Sequence, residues 1–201
     1  THYAMLSQKV NAAFQSAFLD QQMALGGSIE GLSAQKYYDG SVAEAFDWNL
    51  LADFGGPIAT ATLNLFNHLR VDSGGFKRND DGQSSYDNNE WILVDLRISN
   101  ALRRAGKTSD ADGYLGQIVS KAAQNFFLLP ELYNDTPADG QVGKYFGSIP
   151  MVGYGAGAYL MTILDRSGQW EPNDCGDGSS RAGAAFTCSG QTGGACDGGT
   201  G

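Results

Sequence analysis

Residues 88–127 read NNEWILVDLRISNALRRAGKTSDADGYLGQIVSKAAQNFF, and this stretch decides the fold. Trp91, Val94, Ile98, Ala101 and Leu102 recur every three or four residues, the spacing that gathers side chains on one face of a helix. Gly106 then ends the run, in the place a glycine takes just past a helix. Leu115, Ile118, Val119, Ala122 and Phe126 repeat the spacing from Ser109 onward. The spacing predicts a helix over about 88–105 and another from 109, joined by the short link 106–109. So short a link makes the two helices antiparallel neighbours.

The same pattern extends in both directions. Leu6, Val10, Ala13, Phe14, Ala17 and Phe18 define a first helix that ends before Gly26-Gly27. Ser41 with Glu44 three residues later is a capping box, predicting a second helix to about Phe54. Pro57 suits the first position of a third, with Ile58, Ala61, Leu65 and Leu69 on one face. A last helix is expected over about 150–164, with Val152, Ala156, Tyr159, Leu160 and Ile163 aligned. Almost no alternating strand pattern is present, so the class is all-α. The links at 26–40, 71–87 and 128–149 are long, and those at 55–56 and 106–109 are short. This alternation puts the long links at one end of a helical array, where sites are built.

Composition narrows the function. The chain has 201 residues, enough for one medium domain with a real core, and it carries ten Phe, nine Tyr and three Trp. No run of about 18 apolar residues is present, so no membrane partner is expected. The opening THYAMLSQKV reads as helix and not as a leader peptide. Net charge is −9 and the 13 Lys and Arg are scattered, which disfavours nucleic acid as a partner. Residues 168–201 form a Gly/Ser-rich tail or linker holding Cys175, Cys188 and Cys196. Their spacing has no CxxC and no nearby His, so no metal site is expected. Cysteines in such a segment point to an extracellular or periplasmic location, and an odd number leaves one thiol unpaired within the chain.

The long links hold the candidate chemistry. GGFKRNDDGQSSYDNNEW (74–91), LLPELYNDTP (128–137) and KYYDGS (36–41) combine Tyr, Trp, Asp, Asn and Arg. Aromatic faces stack on sugar rings, while carboxylates, amides and guanidinium groups bind hydroxyls in a concave site. The plainer reading of such residues is helix caps and turns. Glu131 stands out, pinned behind Pro130 between leucines and a tyrosine. From its neighbours alone it is either a solvated loop carboxylate or one aimed by a stiff loop.

Three segments resemble glycoside hydrolase family 15, the glucoamylase and glucodextranase family. They are GGFKRNDDGQSSYDNNEWILVDL (74–96), FFLLPELYND (126–135) and GKYFGSIPMVGYGAGAYLMTIL (143–164), in the family's order. KYYDGSVAEAF (36–46) is also similar to an Asp-Gly-Ser helix start of bacterial members. The resemblance covers about residues 5–165. It implies that residues 1–167 are the C-terminal half of an (α/α)6 toroid, a barrel of six outer and six inner helices. It implies an inverting, exo-acting α-glucoside hydrolase without a cofactor, acting on α-linked oligo- or polysaccharides. One carboxylic acid protonates the leaving oxygen there, and a second carboxylate about 6.5–9.5 Å away activates water.

On this resemblance Glu131 is the general base. Arg78 matches the family's sugar-binding arginine. Asp81, Trp91, Tyr86 and Tyr154 are further candidates for the pocket; Asp81 is otherwise a brace for Arg78 or a turn residue, Trp91 otherwise a buried aromatic anchor, and Asp39 either a pocket residue or a helix cap. Glu44 and Asp47 sit at ordinary exposed spacings and are poor candidates for the acid. The acid is therefore expected on a separate N-terminal half, which makes that half the expected partner. Val152-Gly153-Tyr154 and Leu132 depart from the family pattern, and the linkage preference stays open. The alternative is a non-catalytic carbohydrate-binding or regulatory protein on the same helical barrel.

Overall fold

The computed structural model describes residues 2–20, 22–34, 38–82, 84–135, 143–144 and 153–168. The chain is all-α. Its helices are α1 (His2–Ala17), α2 (Ile29–Ala34), α3 (Glu44–Asp47), α4 (Pro57–Leu65), α5 (Ile92–Arg104), α6 (Thr108–Gln124) and α7 (Gly153–Arg166). Tight 3-10 turns at Gly40–Ala43 and Phe66–Leu69 extend α3 and α4. Among the described residues one sheet is present, pairing β1 (Glu90–Trp91) with β2 (Leu132–Tyr133) in antiparallel register, Glu90 opposite Tyr133 and Trp91 opposite Leu132. Cys175, Cys188 and Cys196, the tail and Val152 lie outside the described residues.

Helix α5 is the hub. It packs against α6, α7, α4, α3 and the turn before α3. The expected apolar stripe of Val94, Ile98 and Ala101 is buried, but so is the opposite side, including Leu96, Asp95, Arg97, Ser99 and Asn100. A helix buried all round needs partners for its polar groups. Asp95 accepts from the Phe76 backbone N–H at 2.7 Å, and Ser99 donates to the Ala111 carbonyl at 2.8 Å. The link to α6 is the short turn expected: Gly106 is left-handed (φ 77°), and the Lys107 N–H reaches back to the Leu102 carbonyl at 2.9 Å. One apolar cluster holds Phe46, Leu69, Phe76, Ile98 and Leu132, and a second holds Ile92, Leu96, Ile118, Tyr133 and Ala158.

Five expectations are corrected. The second helix is far shorter than 41–54 and is capped by Asp39, whose side chain accepts from the Ser41 N–H at 2.8 Å, not by Ser41. It stops because Asn49 turns left-handed (φ 53°), with the Leu50 N–H closing on the Ala45 carbonyl at 2.9 Å. The first part of the 26–40 link contains the unexpected helix α2. On α6, Phe126 and Val119 are exposed: Phe126 lies past the helix end with φ 60°, and Ile118, Ala111 and Ala122 form the packed face. On α7 the packed face is Gly155, Ala158, Thr162 and Asp165, while Leu160 faces solvent. Asp165 replaces apolar packing with ion pairs, to Arg104 at 2.8 Å and to Arg103, which fasten α7 to the end of α5. Phe14 of α1, with Phe18 and Leu19 just past its end, packs against the core; Tyr3, Met5, Leu6 and Val10 are exposed. Among the described residues no helix is long and apolar enough to cross a membrane.

Candidate functional site

The three long links meet at one cavity of about 430 Å³. Gly40 and Ser41 come from the first, Arg78 and Tyr86 from the second, Glu131 from the third. The first two links are sewn together by backbone bonds: the Gly40 N–H donates to the Arg78 carbonyl at 2.7 Å, and the Asp80 N–H to the Tyr38 carbonyl at 3.2 Å. Gly40 is required at this crossing. A Cβ there would sit 2.6 Å from a Val94 methyl and 3.1 Å from the Arg78 carbonyl oxygen.

The strand pair positions Glu131. The Ile92 N–H, at the start of α5, donates to the Glu131 carbonyl at 3.2 Å, and β2 follows directly. On the other side, α7 backs straight onto the loop. A Cβ on Gly155 would lie 2.4 Å from the Leu129 carbonyl oxygen and 2.8 Å from that of Pro130. Glu131 is thus held between a buried strand pair and a glycine contact, half-buried and on the cavity wall. Burial first, then the neighbouring Glu131 carboxylate, by hydrogen bonding and charge, pushes the Tyr86 phenol up to about 12.

Tyr86, Trp91 and Arg78 form a contiguous set. The Tyr86 ring meets Trp91 edge-on with centroids 5.0 Å apart, and the Trp91 indole N–H donates to the Tyr86 carbonyl at 3.3 Å. The Arg78 guanidinium lies 5.3 Å from the Trp91 ring centre and 3.4 Å from the Asp87 carboxylate. Tyr154, in the first turn of α7, lines the same cavity and is exposed. Five of the expected residues, Glu131, Arg78, Trp91, Tyr86 and Tyr154, therefore share one cavity. Asp81 does not line it; its N–H donates to the Asn79 side chain at 3.3 Å in the adjoining turn. Asp39 serves as the cap of the turn before α3 and lines a different cavity, of about 340 Å³, with Asp20 and Asp80.

Two residues set aside on spacing take structural positions that spacing did not suggest. Asp47 is buried and paired with Arg97 at 2.8 Å, not exposed. Burial pushes its carboxyl up to about 6, with Arg97 pulling the other way. Glu44 lines the cavity itself, with Arg97 beside it. The signal in the sequence was Arg97, a cation in the buried phase of α5, which demands acidic partners.

Behind the cavity lies a second charged group. Glu90, fully buried in β1, takes both of its oxygens to Lys121 of α6. Asp95 adjoins it, and both carboxyl groups converge over Gly75, where a Cβ would meet Glu90 and Asp95 oxygens at 2.5–2.6 Å. Burial, then the Glu90 charge, holds Asp95 well above the usual carboxylate range. This cluster braces the strand pair. Among the described residues no group of three or more His, Cys, Asp or Glu is arranged to hold a metal ion. No protein family, curated protein or solved structure matches the chain on comparison.

Proposed function

We propose that this chain supplies the general base and part of the sugar pocket of an inverting, exo-acting α-glucoside hydrolase, secreted or periplasmic. The observation that carries the reading is the meeting of Glu131, Arg78, Tyr86, Trp91 and Tyr154 in one cavity from two long links, β1 and α7. Aromatic faces, a guanidinium and a carboxylate on one concave wall suit a polyhydroxylated ring. The ionisable groups named on that wall, Arg78, Arg97, Glu44 and Glu131, balance in sign, which suits an uncharged ligand.

In the proposed step, Glu131 takes a proton from a water on one face of the sugar ring. That water attacks the anomeric carbon as the glycosidic bond breaks, and a carboxylic acid on the opposite face protonates the leaving oxygen. The Tyr86 hydroxyl orients Glu131 in this reading, and Trp91 with Arg78 holds the ring. The acid is assigned to a separate N-terminal half of an (α/α)6 barrel. The open apolar side chains of α1, Tyr3, Met5, Leu6 and Val10, support such a covering half.

One observation favours the alternative of sugar binding without hydrolysis. The second carboxylate on the wall, Glu44, already accepts hydrogen bonds on both oxygens, from Arg97 and Trp48. That arrangement suits an acceptor, not a proton donor. Hydrolysis of maltose, isomaltose and dextran by this chain together with the N-terminal half, followed by proton NMR, separates the readings. Release of glucose first as the β anomer, abolished in Glu131→Gln, supports the hydrolase. Binding with no release supports the alternative, and neither binding nor release sinks both.

A further inference from the structure

Glu44 is held as a ligand-facing acceptor would be. It opens α3, where its side chain is one-third exposed (35%) and borders the cavity. Arg97 Nε donates to its Oε1 at 2.8 Å, and Trp48 Nε1 donates to its Oε2 at 2.7 Å. Arg97 is fixed in turn by the buried Asp47, whose Oδ2 accepts from Nη1 at 2.8 Å. A carboxylate offers about four acceptor sites, so each oxygen keeps capacity after one bond. The conformational cost of fixing a long acidic side chain is already met before any ligand arrives. Arg97 borders the cavity as well, so an acceptor and a donor stand side by side on its wall.

From this geometry we propose that Glu44, with Arg97 behind it, binds a sugar hydroxyl and selects the hydroxyl pattern the cavity admits. The inference rests on the sugar-site reading above and adds to it a residue that determines specificity. The carboxylate accepts from one hydroxyl, and the adjacent guanidinium donates to the oxygen of a neighbouring one, as a vicinal pair on a pyranose requires. A purely structural Glu44 would serve Arg97 and Trp48 and would be blind to the ligand.

The test is calorimetric titration of the full chain with maltose, isomaltose and a set of monodeoxy maltosides, in the parent, Glu44→Gln and Glu44→Asp. The expected result is about tenfold weaker maltose binding by Glu44→Gln, the scale of one hydrogen bond to a charged group. For the monodeoxy sugar lacking the contacted hydroxyl, the variant and the parent should agree within about twofold. If Glu44→Gln does not fold, Glu44→Asp keeps the charge, draws it back from the cavity and reads the same selective loss. Equal affinities of parent and variant overturn the inference while leaving the sugar site standing. A loss that is uniform across the monodeoxy set also overturns it, by assigning Glu44 to structure. A parent that binds none of the sugars removes the sugar-site reading and this inference together.

Discussion

Gly155→Ala probes how the loop bearing Glu131 is set. A Cβ at 155 would meet the Leu129 carbonyl oxygen at 2.4 Å, the Pro130 carbonyl oxygen at 2.8 Å and the Leu129 carbonyl carbon at 2.9 Å. All three are backbone atoms, so no rotamer change relieves them. Ordinary Cβ contacts begin at 3.4 Å, so α7 and the loop must part by about 1 Å, and overpacking of this kind costs about 1–3 kcal/mol. Replacing glycine by alanine inside a helix returns about 1 kcal/mol. The matched control is Gly157→Ala on the same helix, where nothing lies within 4 Å of the new Cβ. It collects the helix gain and meets no clash. Urea unfolding should therefore place Gly155→Ala about 1–3 kcal/mol below Gly157→Ala. In the assembly with the N-terminal half, displacing Glu131 by about 1 Å should also lower glucoside turnover about a hundredfold, with Gly157→Ala unaffected. Equal stability of the two variants would refute the argument that this glycine seats the loop.

Other consequences follow from the charged groups. Because the Glu131 charge and bond help hold the Tyr86 phenol near 12, Glu131→Gln should move one tyrosine's alkaline titration downward, read by ultraviolet difference spectra. In the parent, the Tyr86 contribution to stability is present below about pH 10 and is lost as pH rises through about 12. Asp47 has a folded pKa of about 6, above its ordinary 3.8, so its contribution is greatest below about pH 4 and is lost as pH rises through 6. Thermal melts of Asp47→Asn against the parent should thus shift in the variant's favour between pH 4 and 6, by about 3 kcal/mol at most. A difference independent of pH in that range would count against the burial of an ionising Asp47.

The α5–α6 pair was legible because its periodic apolar residues, Gly106 and the short link all point the same way. The meeting of Glu131, Arg78, Tyr86, Trp91 and Tyr154 was legible as a set of residue types, although no spacing between distant links could place them in one cavity. The misreadings share a cause: polar residues did packing work. On α7, Gly155 is buried because backbone must pass close, and Asp165 because two arginines satisfy it. Those residues outrank Leu160 on the packed face, against what hydrophobic spacing alone would choose. Glu44 and Asp47 looked exposed because their partner, Arg97, is about fifty residues away in sequence. The end of α3 at Asn49 was hidden because a left-handed asparagine reads from sequence like any polar helix residue.

The central claim is that the cavity beside Glu131 is a sugar site. The most direct measurement is a heteronuclear NMR titration of the tryptophan indole N–H signals with maltose and isomaltose, the Trp91 signal being assigned by its loss in Trp91→Phe. The account predicts a saturable shift of the Trp91 signal that weakens in Arg78→Ala, because that guanidinium lies over the ring. A Trp91 signal that stays in place at saturating sugar, for every α-glucoside tried, would contradict it.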